Sequence, residues 1–304
     1  MRFNKLDLNL LVALDALLSE ESITRAADKV HIGQSAMSNA LARLREYFDD
    51  ELLVQVGRHM EATPRALALK DPIRDVLIRV EAAVVSQPRF DPSVSEREFR
   101  LTVSDYTSAV LVPHLLSLIH RQSSKVRLVL LPQVVNPQRS LERGEVDLMI
   151  IPERFASAEH QKEPLFMETF ECLVWENSPL AHGEMTLERY LASGHVVMQP
   201  NNGIAYETAA LAAKGIHRKI DVTTFSFATA PLMVVNTSLI ATVHRRLALQ
   251  ATRRLPVVSR PPPVEIEPMT QVMQWHKYRS NDPGLIWLRD ALRSAVHEMD
   301  LHLD

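Results

Sequence analysis

A single cysteine, Cys172, stands among 304 residues. It cannot close a disulfide within the chain, which fits a reducing compartment, and its apolar neighbours Leu173 and Val174 mark it as core filler rather than a reactive thiol. Long apolar runs are also missing. None approaches the ~18 residues that a membrane helix needs, and the run LNLLVALDALL near the start is interrupted by Asp15 and lacks a small-residue cleavage site. These features predict a soluble, cytoplasmic protein with no exported or membrane-bound stage. Aromatic residues make up only 6% and the net charge is −3, so the totals announce neither a nucleic-acid partner nor an acidic tail. No phosphate-binding loop, dinucleotide fingerprint, G-x-S-x-G elbow or cysteine-rich metal set occurs. HEMDLH (297–302) imitates a zinc-protease helix, but its histidines are five apart, about 500° of helical rotation, and so point to different faces. The sequence predicts no enzyme, no metal and no cofactor.

What is present is pattern. Residues 6–20 repeat Leu8, Leu11, Val12 and Leu18 at helical spacing, and Ser22 is placed to cap a second helix in which Ile23, Ala26, Ala27 and Val30 share a face. The HIGQS turn follows, with Gly33 predicted to take a positive φ, and a third helix opens after it. That third helix carries two stripes. Met37, Ala40, Leu41, Leu44 and Phe48 form an apolar face; Gln34, Ser35, Ser38, Asn39 and Arg43 form a face of mostly short amides and hydroxyls. Packing helix, tight turn and second short helix make a helix-turn-helix, whose second helix meets base edges in the major groove. Gln34 and Asn39 suit adenine, Ser35 and Ser38 suit bases or phosphates, and long glutamates would repel the backbone. A solvated helix face is the alternative: residues 22–65 carry as many acids as bases, so DNA binding requires Arg43, Arg58, His59 and Arg65 to face the duplex while Asp49, Asp50 and Glu51 turn away.

Residues 52–63 read as a hairpin, or wing, with Arg58 and His59 at its tip. Thr63-Pro64 then begins a helix running to about Ser86. Its near-heptad seam, Leu69, Ile73, Val76, Leu77, Val80 and Val84, predicts a dimerising linker, with burial inside one domain as the alternative; Pro72 is expected to kink or restart it. SQPRFDPSVSE (86–96) marks a boundary. Beyond it FRLTVS, VRLVLL and VDLMII alternate with helices, including one over 108–121, and predict a parallel α/β sheet. A second such unit follows, then a proline-rich strap (260–268), a returning strand and a final helix over 283–299.

With DLNLLVALDALLSEESITRAADKVHIGQSAMSNALARLREYFDDELL and the following TPRA in view, the chain resembles the LysR-type transcriptional regulators over essentially its whole length. DLNLLVALDALL and WHKYRSNDPGLIWLR (275–289) look most like the branch of nodulation, naphthalene-salicylate and nitroaromatic regulators. It departs from the family at Ser35, where proline is usual, at Asp49, where glycine is common, and at Leu53, where phenylalanine is usual. The resemblance implies an α+β multidomain chain: a winged helix-turn-helix (1–63), a linker helix (64–89) and a two-lobed α/β effector domain (90–304) similar to type II periplasmic binding proteins. Lobe I would comprise 90–164 and 269–304, and lobe II 165–268. DNA contacts carry over to Gln34, Ser35, Ser38, Asn39 and Arg43, with Arg58 in the wing. The effector cleft would draw on Ser104, Asp105, Tyr106, Thr107, Gln133 and Asn136 from one lobe and on Thr169, Asn202, Gly203, Phe225 and Phe227 from the other. Backbone amides near 105–108 and 202–205 are candidates for a carboxylate or nitro group. Each has a plainer reading: the two phenylalanines as core, Tyr106 as an interface residue, His276 as structural.

Implied partners are promoter DNA, a small and most often aromatic effector, a second copy of the chain in a dimer of dimers, and RNA polymerase, with activation favoured over repression. A solute-binding protein, or a regulator answering to an aliphatic acid, is the rival reading.

Overall fold

The computed structural model describes residues 6–57, 59–84, 89–122, 125–133, 137–199 and 203–301. Two compact units divide the chain, the first built mainly from residues up to 87 and the second from 88 onward.

In the first unit, α1 (Leu8–Glu20) is capped by the Asp7 carboxylate, which accepts from the Leu10 amide, and α2 (Ile23–Lys29) by the Ser22 hydroxyl. α3 (Gln34–Phe48) follows. β1 (Leu53–Val56) and β2 (His59–Ala62) pair as an antiparallel hairpin, and α4 (Pro64–Val84) closes the unit. Leu14, Leu17, Leu18, Met37, Leu44, Leu52 and Leu53 form a dry core into which Ala26 and Ala27 let α2 approach closely. The positive φ of the turn falls on His31, at 57°, and Gly33 is extended at −70°. The chain thus bends two residues earlier than the glycine suggested, with the Ile32 amide reaching back to the Ala27 carbonyl at 3.0 Å. Asp49 takes a left-handed C-cap at φ 50°, a conformation aspartate tolerates better than most residues.

α4 runs through Pro72 without a break, at the cost of the hydrogen bond Pro72 cannot donate. Its seam is also partly used within the protomer. Ile73 is buried in the first unit's core, and Leu69 and Leu77 pack against it, because the same helix face that offers a heptad also covers the open side of α1. Val76 stays exposed.

The second unit holds two five-stranded sheets. The first lobe runs β3 (Glu98–Val103), α5 (Asp105–Val110), α6 (Val112–Gln122), β4 (Arg127–Pro132), α7 (Pro137–Glu142), β5 (Leu148–Pro152) and β6 (Gln161–Glu168). The second lobe runs β7 (Phe170–Trp175), α8 (Leu187–Ala192), β8 (Gly194–Met198), α9 (Tyr206–Ala213), β9 (Lys219–Thr224), α10 (Ala230–Met233), β10 (Ile240–His244), α11 (Arg245–Thr252) and β11 (Val257–Arg260). The chain returns as β12 (Met269–Trp275) and α12 (Pro283–Asp300) to the first sheet, whose order is β4-β3-β5-β12-β6; the second is β11-β7-β10-β8-β9. Neither sheet is purely parallel. β12 runs antiparallel to both β5 and β6, and β7 antiparallel to β10 and β11, because the chain crosses between lobes twice and must come back. The single helix predicted over 108–121 is two, since Pro113 has no amide to bond the Ala109 carbonyl. Among the described residues no helix is long and apolar enough to cross a membrane.

Candidate DNA-binding face and effector cleft

α3 presents its two stripes as separate surfaces. Met37, Leu41 and Leu44 are buried, while Gln34, Ser35, Ser38, Asn39 and Arg43 are all exposed. Arg43 reaches Asp7 at 3.3 Å across the surface, a contact that water and salt weaken. Arg45 points elsewhere: it donates to the Glu51 and Leu53 carbonyls at 2.8 and 2.7 Å, tying α3 to the wing. The nearby acids have structural work too. Asp50 accepts from the Leu52 amide at 2.7 Å and the Thr63 hydroxyl at 2.6 Å, and the Thr63 bond is the main cause holding its carboxyl below the usual range. Thr63 in turn caps α4 through the Ala66 amide. The acid cluster therefore fixes the wing's base, which gives its presence beside α3 a reason other than binding. His59 and Arg65 are exposed. Arg58 lies outside the described residues, as do the Val84 side chain, Asn136 and Asn202.

Between the lobes lies a cavity of about 470 Å³, within the range of small-molecule sites. Its walls are the C-terminal ends of parallel strands: Val103 ends β3, Leu130 to Pro132 end β4, and Met198 ends β8, joined by Ser104, Asp105, Ser108, Gln133, Phe225, Ser226 and Phe227. Of the predicted effector residues, Ser104, Asp105, Gln133, Phe225 and Phe227 come together here. Phe225 is 86% exposed, and Phe227 packs edge-on against His244 with ring centres 4.8 Å apart. Tyr106 and Thr107 do not line the cavity. Both are fully buried, because α5 turns them into the protein while Asp105 and Ser108 face out. Thr169 and Gly203 are also absent from the described lining; Thr169 sits at the crossing between β6 and β7, its carbonyl accepting from the Arg245 amide at 2.9 Å. Sequence reasoning missed Val103, Ser108, Leu130, Leu131, Pro132 and Met198; Ser226 lies within the Phe225–Phe227 segment it expected. The rule that ligands bind outside the carboxyl ends of parallel strands was the signal available for most of them.

Two contacts join the lobes at the cleft. The Asp105 carboxylate of the first accepts from the Ser226 hydroxyl at 2.6 Å and the Ala228 amide at 3.0 Å of the second. Behind it, Tyr106 stacks on His244, centres 3.8 Å apart and planes within 13°, and donates to Glu168. Arg246 binds Glu168 at 3.2 Å and Asp300 at 2.7 Å. Burial pushes the Tyr106 phenol far above its ordinary value, reinforced by the Glu168 charge, and pushes His244 down to about 3. Burial works against the Arg246 cation, but Asp300 and Glu168 outweigh it and its pKa rises. Cys172, buried beside Thr242, is driven up to about 12, so its thiol is inert at neutral pH. The α5 amides offer little to an anion. Ser104 already occupies the Thr107 amide at 3.1 Å, and a carboxylate, Asp105, is the helix's first residue.

Residues 8–67 match the model of the bacterial regulatory helix-turn-helix proteins of the lysR family, and residues 93–296 that of the LysR substrate binding domain. Nodulation protein D of Bradyrhizobium sp. (strain ANU 289) is 38% identical over 301 residues, covering 98% of this chain and 89% of that protein. Nodulation protein D 1 of Bradyrhizobium sp. (strain NC92) is also 38% identical, over 98% of this chain and 96% of its own length. Among solved structures, a probable transcriptional regulator from Pseudomonas aeruginosa superposes with a TM-score of 0.67 at 27% identity, covering 96% of this chain and 98% of that one. Full-length OxyR from the same organism reaches 0.77 over 95% of both chains at 18% identity, a likeness of fold alone. With a helix-turn-helix matched over residues 8–67 and a LysR substrate binding domain over 93–296, the chain belongs to the LysR family of transcriptional regulators.

Proposed function

We propose that this regulator reads DNA with the exposed stripe of α3 and answers to a small aromatic molecule held in the interlobe cleft. The observation that carries the reading is the sorting of α3: every apolar residue of its inner stripe is wholly or partly buried, and every short polar residue of the other faces solvent. Gln34, Ser35, Ser38 and Asn39 contact base edges and phosphates, and Arg43, Arg58, His59 and Arg65 neutralise the backbone. The functional divisions are residues 1–63 for DNA, 64–89 for dimerisation and 90–304 for the effector. Two chains pair through the linker seam, in which Val76 is exposed and Val80 half-buried, with Val84 continuing the period, and Ile73 and Leu77 brace the helix from within. Pairs of dimers then span a longer, bent site. The ligand enters between Phe225 and Phe227 and favours one arrangement of the lobes, changing dimer spacing by population shift and recruiting RNA polymerase in the cytoplasm as an activator. It is bound and not transformed.

A gel shift of the full chain on its own upstream DNA tests the first half. Specific retardation that Gln34→Ala weakens, while binding to unrelated DNA is unchanged, supports it. Absence of retardation with and without aromatic ligands favours a solute-binding role and ends the regulatory reading.

A further inference from the structure

We infer that the cleft selects an uncharged, hydroxyl-bearing aromatic molecule over an aromatic carboxylate, and that Asp105 makes the selection. The inference rests on the cleft being the effector site and narrows what that site accepts.

Both donors from the second lobe reach the same oxygen of Asp105: the Ser226 hydroxyl and the Ala228 amide bind Oδ2. Oδ1 receives no hydrogen bond from the described residues, and Asp105 lines the cavity. One oxygen thus takes both donors from the second lobe, and the other is an acceptor left for whatever enters. A half-buried carboxylate oxygen facing this cavity can be met by water, but a ligand that displaces that water must bring a donor of its own or leave a charged acceptor unsatisfied. A phenolic hydroxyl supplies one, in the stronger, charge-assisted class of hydrogen bond. A ligand carboxylate meets the opposite situation. Among the described residues lining the cavity there is no arginine, lysine or histidine, so such a ligand would place its charge beside Asp105 with no cation to offset either. Phe225 and Phe227 offer ring faces and edges to a flat partner. An alkylammonium ligand would also satisfy Asp105. It is disfavoured because the Ser226 and Ala228 donors already take up part of the carboxylate's charge, and an ammonium gives up its strong hydration on entering a cavity lined mostly by apolar side chains.

Four probes of one ring system decide the matter: 2-naphthol, 2-methoxynaphthalene, 2-naphthoate and 2-naphthylmethylammonium, measured by equilibrium dialysis against the full chain near neutral pH. The expected order puts 2-naphthol at least tenfold tighter than each of the others, since only it brings a neutral donor. Asp105→Asn, nearly isosteric and still able to accept from Ser226, should shrink the naphthol-to-naphthoate ratio at least tenfold by removing the repulsion. Phe227→Ala should weaken every probe that binds. If 2-naphthoate or the ammonium equals 2-naphthol in the unmodified chain, or if Asp105→Asn folds and leaves the ratio intact, the selection by Asp105 is wrong while the cleft stands. If no probe binds saturably, or Phe227→Ala changes none, the cleft is not an aromatic effector site and both ideas fall. Should Asp105→Asn fail to fold by circular dichroism, the ranking in the unmodified chain still decides.

Discussion

The outer face of α3 and the interlobe cleft are the molecule's two candidate binding surfaces, and they are built in opposite ways. The first occupies ten consecutive positions of one helix, its side chains free of the core and displayed by the 3.6-residue period alone. The second is assembled from the ends of β3, β4 and β8 and the turn after β9, over a hundred residues apart, and exists only when both lobes are folded and joined. Damage to packing should therefore erase the cleft and spare α3, whereas a single truncation on α3 should remove recognition and spare stability. The tryptophans allow the two to be followed separately, because Trp175, Trp275 and Trp287 all lie in the second unit.

The largest separation should come from Arg246→Met. It leaves Glu168, buried and bonded to Tyr106, without its cation, and breaking such a pair costs about 3–5 kcal/mol. Urea unfolding followed by tryptophan fluorescence should shift by that amount, while specific DNA retention at low denaturant persists. A loss shared equally by both units would break the comparison.

Acid should act next. His244 and His195 are held neutral by burial, at about 3 and about 4, against about 6.5 in the unfolded chain. The unfolded state takes up protons first, so stability that is fully present above the unfolded value declines as pH falls toward 4, by about 2–3 kcal/mol per histidine near pH 4.5. The described histidines of the first unit, His31 and His59, are exposed, so its unfolding should respond far less over the same window. A tryptophan-detected transition flat between neutral pH and pH 5 would contradict the burial argument.

Smaller effects belong to α3 and its support. Gln34→Ala should cost about 1–3 kcal/mol of binding at one base pair with no change in the unfolding midpoint; quantitative gel shifts on an operator and its point variants measure it. Ser22→Ala removes the hydroxyl that caps α2 and should lower first-unit stability by about 1 kcal/mol, read in the far-ultraviolet signal, with tryptophan fluorescence unmoved.

The same contrast sets what the sequence made legible. α3 and its inner face could be read because each residue's role depends on neighbours three and four positions away. The winged hairpin was likewise local, two strands around a Gly57 turn. The bend at His31 was not, since what fixes it is the Ile32 amide reaching back to Ala27 rather than the residue with most freedom. Leu69, Ile73 and Leu77 carry a heptad whether they meet another chain or α1, so period alone could not say which. In the cleft, Asp105 and the phenylalanines were within reach through the family pattern. For Tyr106 the plainer reading, an interface residue, fits its burial against His244 and Glu168, and its direction follows from where α5 begins, one residue after Ser104. β6 and β11 escaped notice because edge strands such as QKEPLFME alternate weakly and hold Pro164. The antiparallel run of β7 and β12 follows from the two crossings between the lobes, which no local pattern records.

The polypeptide passes between the sheets at Thr169 and again along residues 261–268, which open with Pro261, Pro262 and Pro263. Two tethers side by side behave as the pins of a door: they permit swing about the line joining them and resist torsion across it. Pro261, Pro262 and Pro263 fix the backbone of one of those pins, so the second crossing has less freedom to flex than a chain of other residues would.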